Sequence, residues 1–222
     1  MKRPKRAQAV KPVSRASTLH FFDTSSLLVS CWNGDERKGE KIVHDQAKEA
    51  TFWSDEISRL AETGRLVLAT RNHDELVKHS RSDQKKDLAK RARYTLAKLS
   101  PLVNAGTIEV AGDSNDPFAD AVLLSVALKF RTQANLHFIT QDRALAKDLQ
   151  RIIEFESVRP RGGQTMSVSR VARSGRVQTF SDLIRDTRHS ETAVTGKAAI
   201  STTPAPTPAS KPWWEKVGLG KA

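Results

Sequence analysis

Four carboxylates stand just past the apolar runs of this chain. Asp23 directly follows Leu19-His20-Phe21-Phe22, and Asp142 lies two residues past Ile139-Thr140. Glu75 comes shortly after Leu66-Val67-Leu68-Ala69. Asp120 follows Thr107-Ile108-Glu109-Val110, with Asp116 four residues ahead of it on the same helix face. If the runs are parallel strands, these segments all aim acids at the carboxyl edge of one sheet, where such sheets keep their functional crevice. Crowded carboxylates raise one another's pKa unless a cation lies among them. Oxygen donors alone favour Mg²⁺ or Mn²⁺ over zinc, and such an ion orients water and offsets charge on a phosphodiester under attack. That chemistry needs neither His nor Cys. A lone Asp often caps a helix instead, and Asp74, Asp116 and Asp142 are each placed to do so. Capping does not explain acids at four strand ends.

The acids meet only if the intervening elements return the chain to the same edge. Residues 19–22 read as a buried strand, followed by a tight turn and a helix. A helix is expected over 41–63, with Gly64 as its stop. A second strand over 66–69 leads to a helix capped by Asn72 or Asp74 and carrying Glu75. Residues 83–102 form a long basic helix with Leu88, Ala92, Leu96 and Leu99 as its apolar stripe. A third strand over 107–110 precedes Pro117, suited to the first turn of a helix reaching Phe130. That helix is apolar almost all round and is expected to be central. A fourth strand (136–140), a short helix (143–150) and a fifth strand (152–155) complete the pattern. Strands alternating with helices predict an α/β fold, a Rossmann-like parallel sheet flanked by helices.

The chain has 222 residues and a formal net charge of +12. Residues 1–15 carry six cations and no acid, 16–156 hold 20 basic and 21 acidic residues, and 159–222 carry eleven cations and four acids. The excess therefore lies in the two flanks, which points to a polyanionic partner. The expected organisation is a disordered basic arm (1–16), a folded domain (17–158) and a basic, Pro-rich, largely flexible extension (159–222). Lys85, Lys86, Lys90, Arg91, Arg93 and Lys98 of the basic helix, with Arg143, are candidate phosphate contacts. One cysteine, Cys31, excludes an internal disulfide framework and a cysteine zinc site. With no signal peptide and no membrane span, the sequence reads as that of a cytoplasmic protein.

The segments Phe22-Asp23-Thr24-Ser25, Glu75-Leu76, 120–127 and Ile139-Thr140-Gln141-Asp142 occur in an order that resembles the PIN-domain family of metal-dependent ribonucleases. The match runs from Thr18 to Glu156. The resemblance implies a PIN-like sheet, Mg²⁺ or Mn²⁺ as cofactor and RNA as substrate. Carried over by position, Asp23, Glu75, Asp120 and Asp142 would bind the metal, Asp116 would be a further acid, and Thr140 the polar residue beside them. Many bacterial members are toxins neutralised by an antitoxin, and a homodimer is also implied. The expected function is an endoribonuclease in which water attacks in line and leaves a 5′-phosphate. The alternative is a non-catalytic RNA-binding or adaptor protein on the same scaffold; the retained acids argue against it. Trp213 and Trp214 after the Pro-rich stretch are a candidate partner-docking tail, since aromatic residues anchor interfaces.

Other chemistries find no support. A haloacid-dehalogenase phosphatase wants an acid where Ser25 stands, an integrin-type metal site fails at Leu27, and no phosphate-binding glycine loop is present. The six histidines show no metal-ligand spacing. His137, within a strand, is expected to be structural.

Overall fold

The computed structural model describes residues 18–34, 38–113, 118–155, 157–159 and 163–180. In chain order the first elements are β1 (Thr18–Phe22), α1 (Thr24–Val29), β2 (Trp32–Asn33), β3 (Val43–His44), α2 (Gln46–Ala50), a π-helical turn (Thr51–Glu56) and α3 (Ile57–Thr63). They are followed by β4 (Gly64–Ala69), α4 (Thr70–Ser80), α5 (Lys86–Asn104), β5 (Ile108–Ala111), α6 (Ala119–Phe130), β6 (Asn135–Ile139), α7 (Arg143–Glu154), β7 (Met166–Val171) and β8 (Val177–Thr179). Six strands form one sheet in the order β5-β4-β1-β6-β7-β8, parallel except for the last pair. The chain steps outward from β1 through β4 to β5, then returns to lay β6 along the other side of β1. That reversal opens a crevice at the carboxyl ends of β1 and β6.

β1 is buried on both faces because helices cover both. Leu19 and Phe21 pack with Val67, Val122, Val126, Phe138 and Leu149 on one side. Phe22 packs with Leu27, Phe52, Leu66, Leu68 and Leu76 on the other. The architecture is thus the expected α/β one, with a mostly parallel sheet between helices. No helix among the described residues is long and apolar enough to cross a membrane.

Several elements differ from the sequence expectation. The helix expected from residue 41 begins only at Gln46, where the Asp45 carboxylate accepts the Lys48 N–H at 2.9 Å. Val43 and His44 ahead of it pair with β2. Gly64 ends α3 in extended backbone, and its place is set by crowding: a Cβ there would come within 2.1 Å of the Thr18 carbonyl oxygen. Asn72 and Asp74 lie inside α4, which starts at Thr70 without a side-chain cap. α6 has one buried face only, leaving Asp120, Ser125 and Leu128 exposed. Residues 152–155 are not a strand. Leu145, Ala146, Leu149 and Ile152 make one buried stripe at helical spacing, so α7 continues through the apolar run. The fifth parallel strand is β7, past the boundary expected at Val158; Met166, Val168 and Phe180 are part of the core. The expectations for the arm at 1–16, Asp116, Pro117 and the Trp213-Trp214 tail fall outside the described residues.

Candidate functional site

Asp23 follows the last residue of β1, and its N–H donates to the Ile139 carbonyl at 3.0 Å, so the β1–β6 ladder carries it into the crevice. The residue is only 4% exposed. Three neighbours fix its carboxylate. Thr140 Oγ1 donates to Oδ2 at 2.8 Å, Ser25 Oγ donates to the same oxygen, and Asn72 Nδ2 donates to Oδ1 at 3.1 Å. Burial pushes the Asp23 carboxyl above the usual range against these hydrogen bonds, which favour the charged form, and Glu75 adds a like charge.

Each donor is placed by its own element. Ser25 lies in the first turn of α1 and accepts the Gln141 N–H at 2.9 Å, joining the end of β1 to the end of β6. Thr140 Oγ1 accepts the Asp142 N–H at 2.9 Å. Asn72, fully buried in the first turn of α4, also donates to Thr24 Oγ1 at 3.2 Å. Its Oδ1 is buried without a partner. By spacing alone Asn72 is one of two candidate helix caps, with Asp74; only the meeting of β1 with the start of α4 reveals what it holds.

The remaining acids surround this centre less tightly. Asp142 is exposed, and its Oδ1 accepts the N–H groups of Ala144 at 2.7 Å and Leu145 at 3.2 Å, so it caps α7. The capping role that the sequence allowed is therefore present. Asp120 is pushed up to about 6, first by burial and then by the charges of Asp23, Asp142, Glu75 and Asp148. Those four acids thus act on one carboxylate, and Asp148 on α7 is one that sequence reading passed over. Glu75 is half-buried on α4, with His79 at 3.9 Å one turn on.

Among the described residues, no three His, Cys, Asp or Glu side chains converge closely enough to hold a metal ion as they stand. The donor chemistry nonetheless fits a hard cation. Burial and like charge disfavour the ionised forms of Asp23 and Asp120, a cost that a cation offsets, and the Asn72 side chain that holds Asp23 has a buried Oδ1 with no partner.

A groove of about 1030 Å³ opens from Ser25, Gln141 and Asp142. Among the described residues its cations are Lys38, Lys48, Arg91, Arg143, Arg170 and Arg173, and Asp142 is the one acid in its lining. Lys48 is buried, donates to the Trp32 carbonyl at 2.8 Å, and is lowered to about 8 chiefly by that burial. Of the helix cations expected to meet nucleic acid, Arg91 reaches the groove, while Lys85, Lys86, Lys90 and Arg93 are exposed outside its lining. Lys98 is instead bound to Glu49, which also accepts from Tyr94 at 2.8 Å. No family model matches the chain, and neither a curated protein nor a solved structure does, so the chemistry of these carboxylates follows from their own surroundings.

Proposed function

We propose that this chain is a Mg²⁺- or Mn²⁺-dependent endoribonuclease of PIN-like architecture. The observation that carries the reading is the buried Asp23 carboxylate at the β1–β6 reversal, held on both oxygens by Thr140, Ser25 and Asn72, with Asp120 pushed up to about 6 by burial and then by the charges of Asp23, Asp142, Glu75 and Asp148. Asp23 and Asp120, with Asp142 and Glu75, would hold the ion; Asp116 is a further candidate from the sequence. When bound, the ion polarises a phosphodiester and promotes ionisation of the attacking water. Thr140 and Asn72 fix the direction of the Asp23 lone pairs, and Ser25 ties that carboxylate to the backbone of Gln141. Asp120 keeps a proton below about pH 6 that it must release before it can act as a ligand. The groove of cations supplies a surface for the substrate's phosphates. A toxin neutralised by an antitoxin, and a homodimer, belong to the same proposal through the family resemblance alone.

The test is cleavage of a mixed RNA by the full chain in Mg²⁺, Mn²⁺ or EDTA, beside Asp23→Asn and Asp120→Asn. Cleavage should require the metal and fall by more than about 100-fold in both variants, since even outer-shell changes at metal sites cost roughly 10–100-fold. Full metal-dependent activity in Asp23→Asn would overturn the assignment.

A further inference from the structure

The cations of the groove come from parts of the chain that sequence reading did not connect. Lys38 lies ahead of β3, Lys48 on α2, Arg143 at the start of α7, Arg170 on β7 and Arg173 in the β7–β8 turn. Arg170 and Arg173 lie beyond Glu156, outside the segment that resembles a known family. The turn that carries Arg173 is fixed in place. Gly175 packs so closely on α2 that a Cβ would meet the Lys48 carbonyl oxygen at 2.5 Å. The buried Glu56 accepts from Arg176 Nη1 at 3.0 Å and from the Val177 N–H at 3.3 Å. Arg173 itself reaches Glu40 at 3.2 Å, which ties the turn to the segment ahead of β3.

We propose that this groove is the path of a single-stranded polynucleotide, with Arg143 and Arg173 among its phosphate contacts, and that the exposed cations of α5 are not that path. A lone phosphate needs two or three donors. Here Lys38, Arg143, Arg170 and Arg173, with Arg91 of α5 and the buried Lys48, line a space of about 1030 Å³, which calls for an extended anion with repeated charges. The same lining holds the partly exposed Val29, Trp32 and Ile42, apolar surface that suits unstacked bases rather than an acidic peptide. A rigid duplex keeps its bases stacked inside and has no use for such a floor. The register rests on the nuclease reading, since Asp142 borders both the groove and the carboxylates and would bring one phosphate of the strand to Asp23.

The test is fluorescence anisotropy of the full chain with a labelled 12-nucleotide RNA and the matching DNA, in EDTA, over a salt series. Arg143→Ala and Arg173→Ala should each weaken binding several-fold and lower the salt slope by about 0.7, the value for one phosphate contact on a single strand. Lys86→Ala and Lys90→Ala should change neither quantity, and Arg173→Lys should restore most of what Arg173→Ala loses. Equal binding of RNA and DNA supports recognition of phosphates alone; tighter RNA binding supports an added 2′-hydroxyl contact. Loss in the α5 variants with none in the groove variants overturns the proposal, as does preference for a duplex or equal competition by polyglutamate. Cleavage in Mn²⁺ separates the two readings. Groove variants that lose binding while no metal gives cleavage leave the groove standing without the nuclease. Cleavage with an unchanged KM in the groove variants leaves the nuclease without this groove.

Discussion

At the scale of residues, Asp120 shows what the carboxylate cluster costs the protein without a cation. Burial and four neighbouring acids raise its pKa to about 6. A folded-state pKa above the unfolded value means that ionisation opposes folding: the favourable contribution is intact at acid pH and lost as pH rises through about 6. Asp120→Asn should therefore stabilise the chain in EDTA at pH 7.5. The residue is exposed overall and its carboxyl only partly desolvated, so solvent screening limits the gain to about 1 kcal/mol or less, a rise in Tm of roughly 2–4 °C. The advantage should vanish at pH 5, and excess Mn²⁺ should favour the parent, because ligand binding to the folded state stabilises it by mass action. Thermal melts of both proteins under the three conditions check this; a variant less stable than the parent in EDTA at pH 7.5 would sink it. Asp23, Asp120 and Asp142 are legible in the sequence because each lies in the segment that follows an apolar run, and Thr140 is picked out by the family resemblance alone. Asn72 is not legible, because its spacing matches a helix cap and its bond to Asp23 exists only once β4 lies beside β1.

At the scale of elements, the sheet contains a polar rung that crosses three strands. His20 Nδ1 and His137 Nδ1 are 2.9 Å apart, Thr63 Oγ1 lies 3.1 Å from His20 Nε2, and Ser169 Oγ lies 2.8 Å from His137 Nε2. Burial lowers both imidazoles to about 4, helped by mutual repulsion at His20 and by Arg59 at both. Their neutral forms are the ones the sheet holds. The stabilisation they give is complete above the ordinary value of 6.5 and is lost as pH falls toward about 4. Asp23 and Asp120 titrate with the opposite sign, so the prediction is a difference: His137→Gln should lose less Tm between pH 7 and pH 5 than the parent. Identical pH profiles in the two proteins would remove the rung from the account of acid sensitivity. Strand-embedded His137 is expected to be structural from the sequence, but its partner His20 is 117 residues away and no local pattern announces it. The same limit explains β7. Its run Met166-Ser167-Val168-Ser169-Arg170-Val171 is half polar, whereas Ile152-Ile153-Glu154-Phe155 reads as a strand from its three apolar residues; only Ile152 joins the buried stripe of α7, and Phe155 is exposed.

At the scale of the whole molecule, charge and site are separated along the chain. The stretch 16–156 is nearly neutral, and the net charge of +12 comes from the residues on either side of it. Charge is additive and can be read from composition alone, so this division was legible at once. The groove was not, because it requires residues as far apart as Lys38 and Arg173 to meet. The two sources of positive charge should do different things. Six cations within residues 1–15 raise the encounter rate with any polyanion through long-range attraction, which salt screens with a Debye length of about 10 Å at 0.1 M. Groove cations act at contact, next to Asp142, and set where along the strand the carboxylates engage. Deleting residues 1–15 should then lower the association rate for single-stranded RNA by about tenfold or more at low salt, and have little effect near 0.5 M, where the attraction is already screened. The turnover of saturating RNA should stay within about twofold of the parent, because the arm holds none of the carboxylates. Stopped-flow association and steady-state cleavage on the same RNA measure both quantities. A fall in kcat on removing the arm, with the association rate unchanged, would place those cations at the reacting phosphate and require the site to be drawn around them.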